Sequence, residues 1–417
     1  MKEGSILASC IYLLKEIILE EKKTSLVIKK YFRQNRFIGS KDKNAIKNLI
    51  YKFLKNFYSL KNICNKNNIK FNIRNGLLLL FLNNNKNRNF CFIYDGKYSL
   101  KKKITDKKIF EIIKTKNFII KPDLPKWLKE KLNKQTQKIF DKISLSVLKE
   151  GKFDIRVNSN SCSREQLLKK IRLKYISAHP TKFSSLGITF EKKGNIKILE
   201  KYYKGLFEIQ DEGSQVTTIL SEIRPGLKIL DYCAGKGTKT LAIRDLMKSK
   251  GELYAYDVDE QRLSFFEDRL KKLKIKDISI LNSIDGFDNY FDLIVLDVPC
   301  SGSGIWRRRP EELVRLNEKK LSNFVEVQKK ILEKAKKLCK IRGRISYITC
   351  SLIKNENEEQ INNFLKNNPN FRLNNLKNNF NKEIGKNFLN LNYELLTITP
   401  DLLYTDGYFI SIMEKYA

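Results

Sequence analysis

The spacing of apolar and polar positions changes twice along the chain. Up to about residue 70 it is helical: Ile6, Ile11, Leu14, Ile17 and Ile18 share one face, and Ala45, Ile46, Leu49, Ile50, Phe53 and Leu54 repeat the pattern in a second segment. The link between them holds Gly39 and then Ser40, which is expected to cap the second helix. Residues 71–120 are mixed, with an apolar run at 77–82 too short to span a bilayer and an Asn/Lys-rich loop at 83–89. From Pro122 the pattern is that of a small α+β unit. Pro125 suits the first turn of a helix, residues 153–158 alternate as a strand, a helix starts at Ser163, and short strands surround Ile188 and Ile196.

Beyond about residue 201 the order becomes strand, helix, strand. Residues 227–231, 252–257, 278–282, 291–297 and 343–349 read as strands, separated by amphipathic helices such as 260–272 and 317–340. This alternation predicts an α/β fold with a doubly wound parallel sheet. A last strand at 405–413 is expected to close one edge. The chain thus divides into a helical region (1–120), a small α+β unit (121–200) and an α/β domain (201–417).

Composition is globular, 41% hydrophobic and 31% charged, over 417 residues. Lys+Arg 82 against Asp+Glu 46 leaves a formal charge of +36, which draws polyanions through phosphate neutralisation. Lysine, asparagine and isoleucine are all abundant, the pattern of an AT-rich genome whose codon bias alone can raise lysine, so the charge favours nucleic acid without being specific to it. The 8 cysteines include no C-x-x-C pair, which argues against a zinc site, and their scatter indicates a reducing cytosol. The N-terminal apolar run continues into Lys15-Glu16 as an amphipathic helix, unlike a cleaved leader. The single histidine, His179, sits before Pro180 in a loop-like stretch, which argues against Ser-His and Cys-His mechanisms.

Candidate chemistry gathers at the carboxyl ends of the predicted strands, where open α/β sheets bind ligands. After the first strand comes D-Y-C-A-G-K-G-T-K-T, from Asp231 to Thr240. It is neither a P-loop nor a G-x-G-x-x-G turn. The second strand ends in Asp257, placed to accept ribose hydroxyls. Asp285 follows the third, and the fourth ends at Asp297. Acids at four strand ends favour an adenosine cofactor without pyrophosphate, and the cationic S-adenosylmethionine fits. Each acid alone is more often a helix cap than a ligand, and it is the ordered set that favours the ligand reading.

Two cysteines close the next strands: Cys300 in D-V-P-C-S-G-S-G and Cys350 in Y-I-T-C-S. Carbon 5 of a pyrimidine is a poor nucleophile. A thiolate added to carbon 6 makes the ring an enamine that attacks a methyl donor from carbon 5. Lys239 and Arg307-Arg308-Arg309 are candidates to favour the thiolate. Cys10, Cys64, Cys91, Cys162 and Cys339 read as small buried hydrophobes, and Cys233 as structural within the cofactor turn.

Taken together, D-x-C-A-G-x-G-x-K-T, D-V-D-E-Q-R-L (257–263), D-x-P-C-S-G-S-G-x-W-R-R-x-P (297–310), T-C-S-x-x-x-x-E-N-E (349–358) and T-D-G-Y-F (405–409) resemble the RsmB (Sun/Fmu) ribosomal RNA cytosine-5 methyltransferases. L-F-E-I-Q-D-E-G-S-Q (206–215) and D-I-R-V-N agree, and residues 37–42 resemble a shortened NusB-like helical region. The resemblance implies a Rossmann-like class I S-adenosylmethionine-dependent methyltransferase domain behind an RRM-like, RNA-gripping α+β unit. It implies Cys350 as the nucleophile, Cys300 as the residue that assists product release, and Asp297 as the contact to the target base. Cys233, Ala234, Gly235, Lys236, Gly237, Thr238, Lys239, Asp257, Asp285 and Asp297 would surround the cofactor, with Arg262 bracing the acid of the second strand. Lys236 and Thr238 depart from the family's glycine-rich turn, so their β-carbons are expected to crowd the cofactor or strain the backbone.

The expected protein is a cytosolic, metal-free, monomeric enzyme that methylates cytosine in 16S rRNA, away from membranes. The alternatives are a transfer RNA methyltransferase and a non-catalytic RNA-binding assembly factor.

Overall fold

The computed structural model describes residues 1–85, 90–116, 118–131, 151–174, 177–191, 199, 203–384 and 391–417. They form two compact units. One comprises Met1–Glu150 with Trp306–Asn317; the other comprises Gly151–Ile305 with Glu318–Ala417.

The first unit is helical. Helix Glu3–Leu19 buries Leu7, Cys10, Leu13, Leu14 and Ile17 against helices Ser40–Lys55 and Ile73–Asn83. The apolar run at 77–82 lies inside the last of these, its five leucines fully buried and Phe81 half-buried, because the unit's core surrounds that helix. Gly39, with extended backbone, caps Ser40–Lys55, and Ser40 is its first helical residue, so the expected Ser40 cap is displaced by one position. The short helix Pro310–Arg315 also belongs here: Arg315 donates to the carbonyls of Ile17 and Lys22, and Glu311 accepts from the Thr24 amide. Among the described residues no helix is long and apolar enough to cross a membrane.

The second unit carries two sheets. The smaller is antiparallel, ordered β2-β3-β1-β4, from β1 (Phe153–Val157), β2 (Ala178–Pro180), β3 (Gly187–Phe190) and β4 (Phe207–Ile209). Helix Arg164–Arg172 covers it, opened by a reciprocal capping box between Ser163 and Gln166. His179 lies in β2, not in a loop, half-exposed beside Glu191. Ile196 is outside the described residues.

The larger sheet runs β10-β12-β9-β8-β5-β6-β7, with β11 also on β12. Its parallel core is β5 (Lys228–Asp231), β6 (Glu252–Ala255), β7 (Ser279–Ile280), β8 (Phe291–Asp297) and β9 (Cys339–Thr349). The last strand, β12 (Tyr408–Lys415), pairs antiparallel with β9 on one side. On its other side it carries β10 (Phe371–Leu373) and β11 (Leu396–Ile398). The sheet is therefore mixed, and β12 is interior where an edge was expected. β10 and β11 are three residues each, too short for alternation to mark them.

Buried polar contacts tie the two sheets together. Arg156 of β1 is almost wholly buried, donates to Gln210 at 2.8 Å and forms an ion pair with the equally buried Asp245. Glu212 accepts from the amides of Phe183 and Ser184, and Arg269 pairs with Glu208. An arginine buried this deeply is tolerated only with such partners.

Candidate active site

The turn after β5 is shaped by its glycines. Gly235 and Gly237 hold positive φ (55° and 77°), and a β-carbon on Gly237 would stand 1.9 Å from the Phe266 ring. Gly237 then caps helix Thr238–Met247. Lys236 and Thr238 need no such conformation. The Lys236 side chain points outward, its ammonium 5.2 Å from the Phe265 ring, and Thr238 begins the helix with ordinary φ. The expected strain at these two positions is absent because the left-handed positions of the turn remain glycine.

Around this turn the acids are unequal. Asp231 is fully buried and accepts from Thr240 Oγ1 at 2.6 Å, while its Oδ1 has no partner. Burial, with Asp297 and Asp257 nearby, pushes its pKa up to about 7. Asp257 accepts from the amides of Gly235 (2.8 Å) and Asp259 (2.9 Å). It is not a helix cap: Asp259 caps helix Glu260–Leu273. Arg262 pairs with Asp259 at 3.0 Å and does not brace Asp257. Asp285 is exposed and accepts from Ser283. Burial and these acids hold the Cys233 thiol neutral.

Cys300 and Cys350 meet at the ends of the adjacent strands β8 and β9, their sulfurs 3.3 Å apart and both free thiols. The hydrogen bond to Cys350, together with burial, raises the Cys300 thiol well above its ordinary range. Either sulfur can be the donor in this contact. Behind the pair lies a buried hydrogen-bonded network. Glu356 accepts from the Ser301 amide (2.8 Å), the Ser301 and Ser351 hydroxyls (2.5 Å each) and the Gln328 amide (3.1 Å). Ser303 accepts from the Leu352 amide at 2.7 Å, and Asn357 links Thr349 to the Ser351 carbonyl. Cys10, Cys64 and Cys339 are buried as expected, whereas Cys91 is exposed and Cys162 half-buried.

Lys239 does not turn to the thiols. It is buried with its ammonium 3.3 Å from Asp297 and 3.4 Å from Ser214 Oγ. Arg307, Arg308 and Arg309 belong to the helical unit. Two segments without a role in the sequence reading converge here. Asp211 caps helix Glu212–Leu220 and accepts from the Asp406 amide, and Gly407 donates to the Gly304 carbonyl at 2.9 Å. A β-carbon on Gly304 would lie 2.1 Å from Gly407 O, so the G-S-G and D-G-Y segments meet backbone to backbone. Tyr408 follows, its ring 5.9 Å from the Lys239 ammonium. Among the described residues, no cluster of His, Cys, Asp and Glu could hold a metal.

Comparison with known proteins decides the family. Residues 218–414 match the 16S rRNA methyltransferase RsmB/F family, and residues 124–197 match the ferredoxin-like domain of RsmF/B-like methyltransferases. The chain belongs to the RsmB/F methyltransferase family. "Ribosomal RNA small subunit methyltransferase B" of Photorhabdus laumondii is 30% identical over 70% of this chain and 66% of its own length. The protein of the same name from Proteus mirabilis is 31% identical over 58% of each. The chain thus spans about 58–66% of the length of these relatives. The fold agrees with the crystal structure of PH0851, at a TM-score of 0.71 and 22% identity, covering 99% of this chain and 98% of that one.

S-adenosylmethionine is the cofactor of this methyltransferase fold. The turn fits it: the glycines bring backbone close, and the unpartnered Asp231 Oδ1 and the Asp257 carboxylate suit a ligand with cationic and hydroxyl groups.

Proposed function

We propose that this protein methylates carbon 5 of a cytosine in 16S rRNA through a covalent adduct on Cys350. The observation that carries the reading is the thiol pair at neighbouring strand ends, beside Asp297 and next to a cofactor turn. Bound S-adenosylmethionine supplies an electrophilic methyl group.

Cys350, as thiolate, forms a bond to ring carbon 6, and the displaced π electrons make carbon 5 nucleophilic. Asp297, tethered by Lys239, holds the ring at its nitrogen 3 edge. After carbon 5 gains the methyl group, it must lose its proton to a base. The electrons of that C–H bond reform the ring double bond and expel the Cys350 sulfur. Cys300 assists this release. With its sulfur 3.3 Å from that of Cys350, a Cys300 thiol is placed to give the departing sulfur a proton.

We place Asp257 at the ribose, Asp285 at the adenine and the turn from Cys233 to Lys239 around the methionine part. The α+β region of 121–200 and the helical region of 1–120 are RNA-binding in this reading, consistent with the charge of +36. The target base must leave its stack to reach the thiols. The protein acts as a monomer in the cytosol, where rRNA is made.

The test is transfer of labelled methyl from S-adenosylmethionine to total RNA from cells lacking the protein. Label in 16S rRNA as 5-methylcytosine, lost with Cys350→Ala, is the expected result. Label in transfer RNA would overturn the substrate. No label and no cofactor binding would overturn the enzyme in favour of a binding factor.

A further inference from the structure

We infer that Glu356 is the positioning residue for both thiols, a carboxylate clamp that sets their separation and decides which of them carries the proton. The inference deepens the reading of Cys350 and Cys300 as nucleophile and partner, and rests on it. Glu356 touches neither cysteine. It holds the residue immediately after each: Ser301 through amide and hydroxyl, and Ser351 through its hydroxyl. The two loops leave different strands, β8 and β9, and the Gly304 amide of the first donates to the Cys350 carbonyl of the second at 2.9 Å, so the clamp adds side-chain ties to a backbone one. The clamp extends further through Gln328, which donates to both Glu356 and the Pro299 carbonyl on the other side of Cys300. Gln360 in turn donates to Gln328 at 3.2 Å. The backbone carbonyl of Glu356 accepts from Tyr347 Oη, so the turn bearing it is anchored to β9.

The carboxylate is completely buried, and burial raises its pKa. Yet four donors converge on its two oxygens, and the two that are N–H groups can only donate. That arrangement suits the ionised form. A buried negative charge behind the thiols disfavours a second one at Cys300. The groups that bear on Cys300 are the Cys350 thiol at the end of β9, the Glu356 carboxylate, and the Gly302 amide of its own loop. Removing the charge of Glu356 should therefore ease ionisation of Cys300 and loosen the spacing between the sulfurs.

Glu356→Gln keeps the shape and removes the charge; Glu356→Asp keeps the charge but is too short to reach both serines. Cys300 is titrated by iodoacetamide alkylation against pH, read at the Cys300 peptide by mass spectrometry on the protein alone. The expected midpoint falls by about one pH unit in Glu356→Gln and stays high in Glu356→Asp. Methyl transfer kcat should fall about 100-fold in both, the scale of an ångström misplacement, with S-adenosylmethionine affinity unchanged. An unmoved midpoint in folded Glu356→Gln, or a parental kcat in Glu356→Asp, overturns the assignment. The titration needs no RNA, so it tests the clamp even if the proposed substrate fails.

Discussion

The two halves of the site are built on opposite plans. On the cofactor side, after β5 and β6, acids are left short of partners among the described residues: Asp231 is buried with a bare Oδ1, and Asp257 accepts from two backbone amides. On the thiol side, after β8 and β9, Ser301, Ser351, Glu356 and Gln328 satisfy one another in a closed network. The difference follows from what each half must do. A cationic ligand that comes and goes is received by groups whose interactions are completed on binding. In the proposed reaction the nucleophile must already stand in place before its substrate arrives, because misplacement costs rate.

Five variants test this contrast. The largest effect is expected from Cys350→Ala, which should cut methyl transfer by about 1,000-fold or more while S-adenosylmethionine still binds by calorimetry, separating the two halves. Cys300→Ala should let attack and transfer proceed but stall release, so a covalent protein–RNA adduct accumulates on denaturing gels. Normal turnover would remove Cys300 from the mechanism. Gly237→Ala strikes the cofactor half: with φ at 77° and Phe266 in the way, it should cost about 1–3 kcal/mol in urea unfolding and weaken cofactor binding.

Asp231→Asn should do the reverse to stability. The folded carboxyl has its pKa raised from 3.8 to about 7, so the native state holds a proton the unfolded chain has lost. Stability from this group therefore falls as pH rises from about 3.8 to about 7. The variant should be about 1–2 kcal/mol more stable at pH 8 and equal to the parent below pH 4, with weaker cofactor binding throughout. Equal stability at pH 8 would mean that Asp231 is not under strain and would break the contrast. The smallest effect belongs to Lys236→Ala. Its outward side chain should leave stability within about 0.5 kcal/mol and cofactor affinity unchanged.

The chain's motifs put Asp231, Asp257, Asp297, Cys300 and Cys350 at or just beyond strand ends, where they stand, because a parallel strand must be apolar and must end where the backbone turns. They could not say which neighbours each acid finds. Asp257 and Asp259 read alike in D-V-D-E, yet one binds the cofactor turn and the other caps the helix and takes Arg262. Lys239 read as a helper of the thiols and is spent on Asp297. Glu356 stood inside a quoted motif without a role, since its partners Ser301 and Gln328 lie 55 and 28 positions away.

What the sequence determined by itself is local and periodic. The helical face of the first segment, the strands from β5 to β9, the capping box at Ser163 and the strand-end placement of both cysteines all follow from the spacing of apolar residues and from short-range backbone chemistry. Only the tertiary structure decided that β12 lies inside the sheet, carrying β10 and β11, and that Arg156 locks the small sheet to Asp245. It alone set two sulfurs from loops 50 residues apart at 3.3 Å. These depend on pairings between distant segments, where burial and desolvation choose the partner and no local period records the choice.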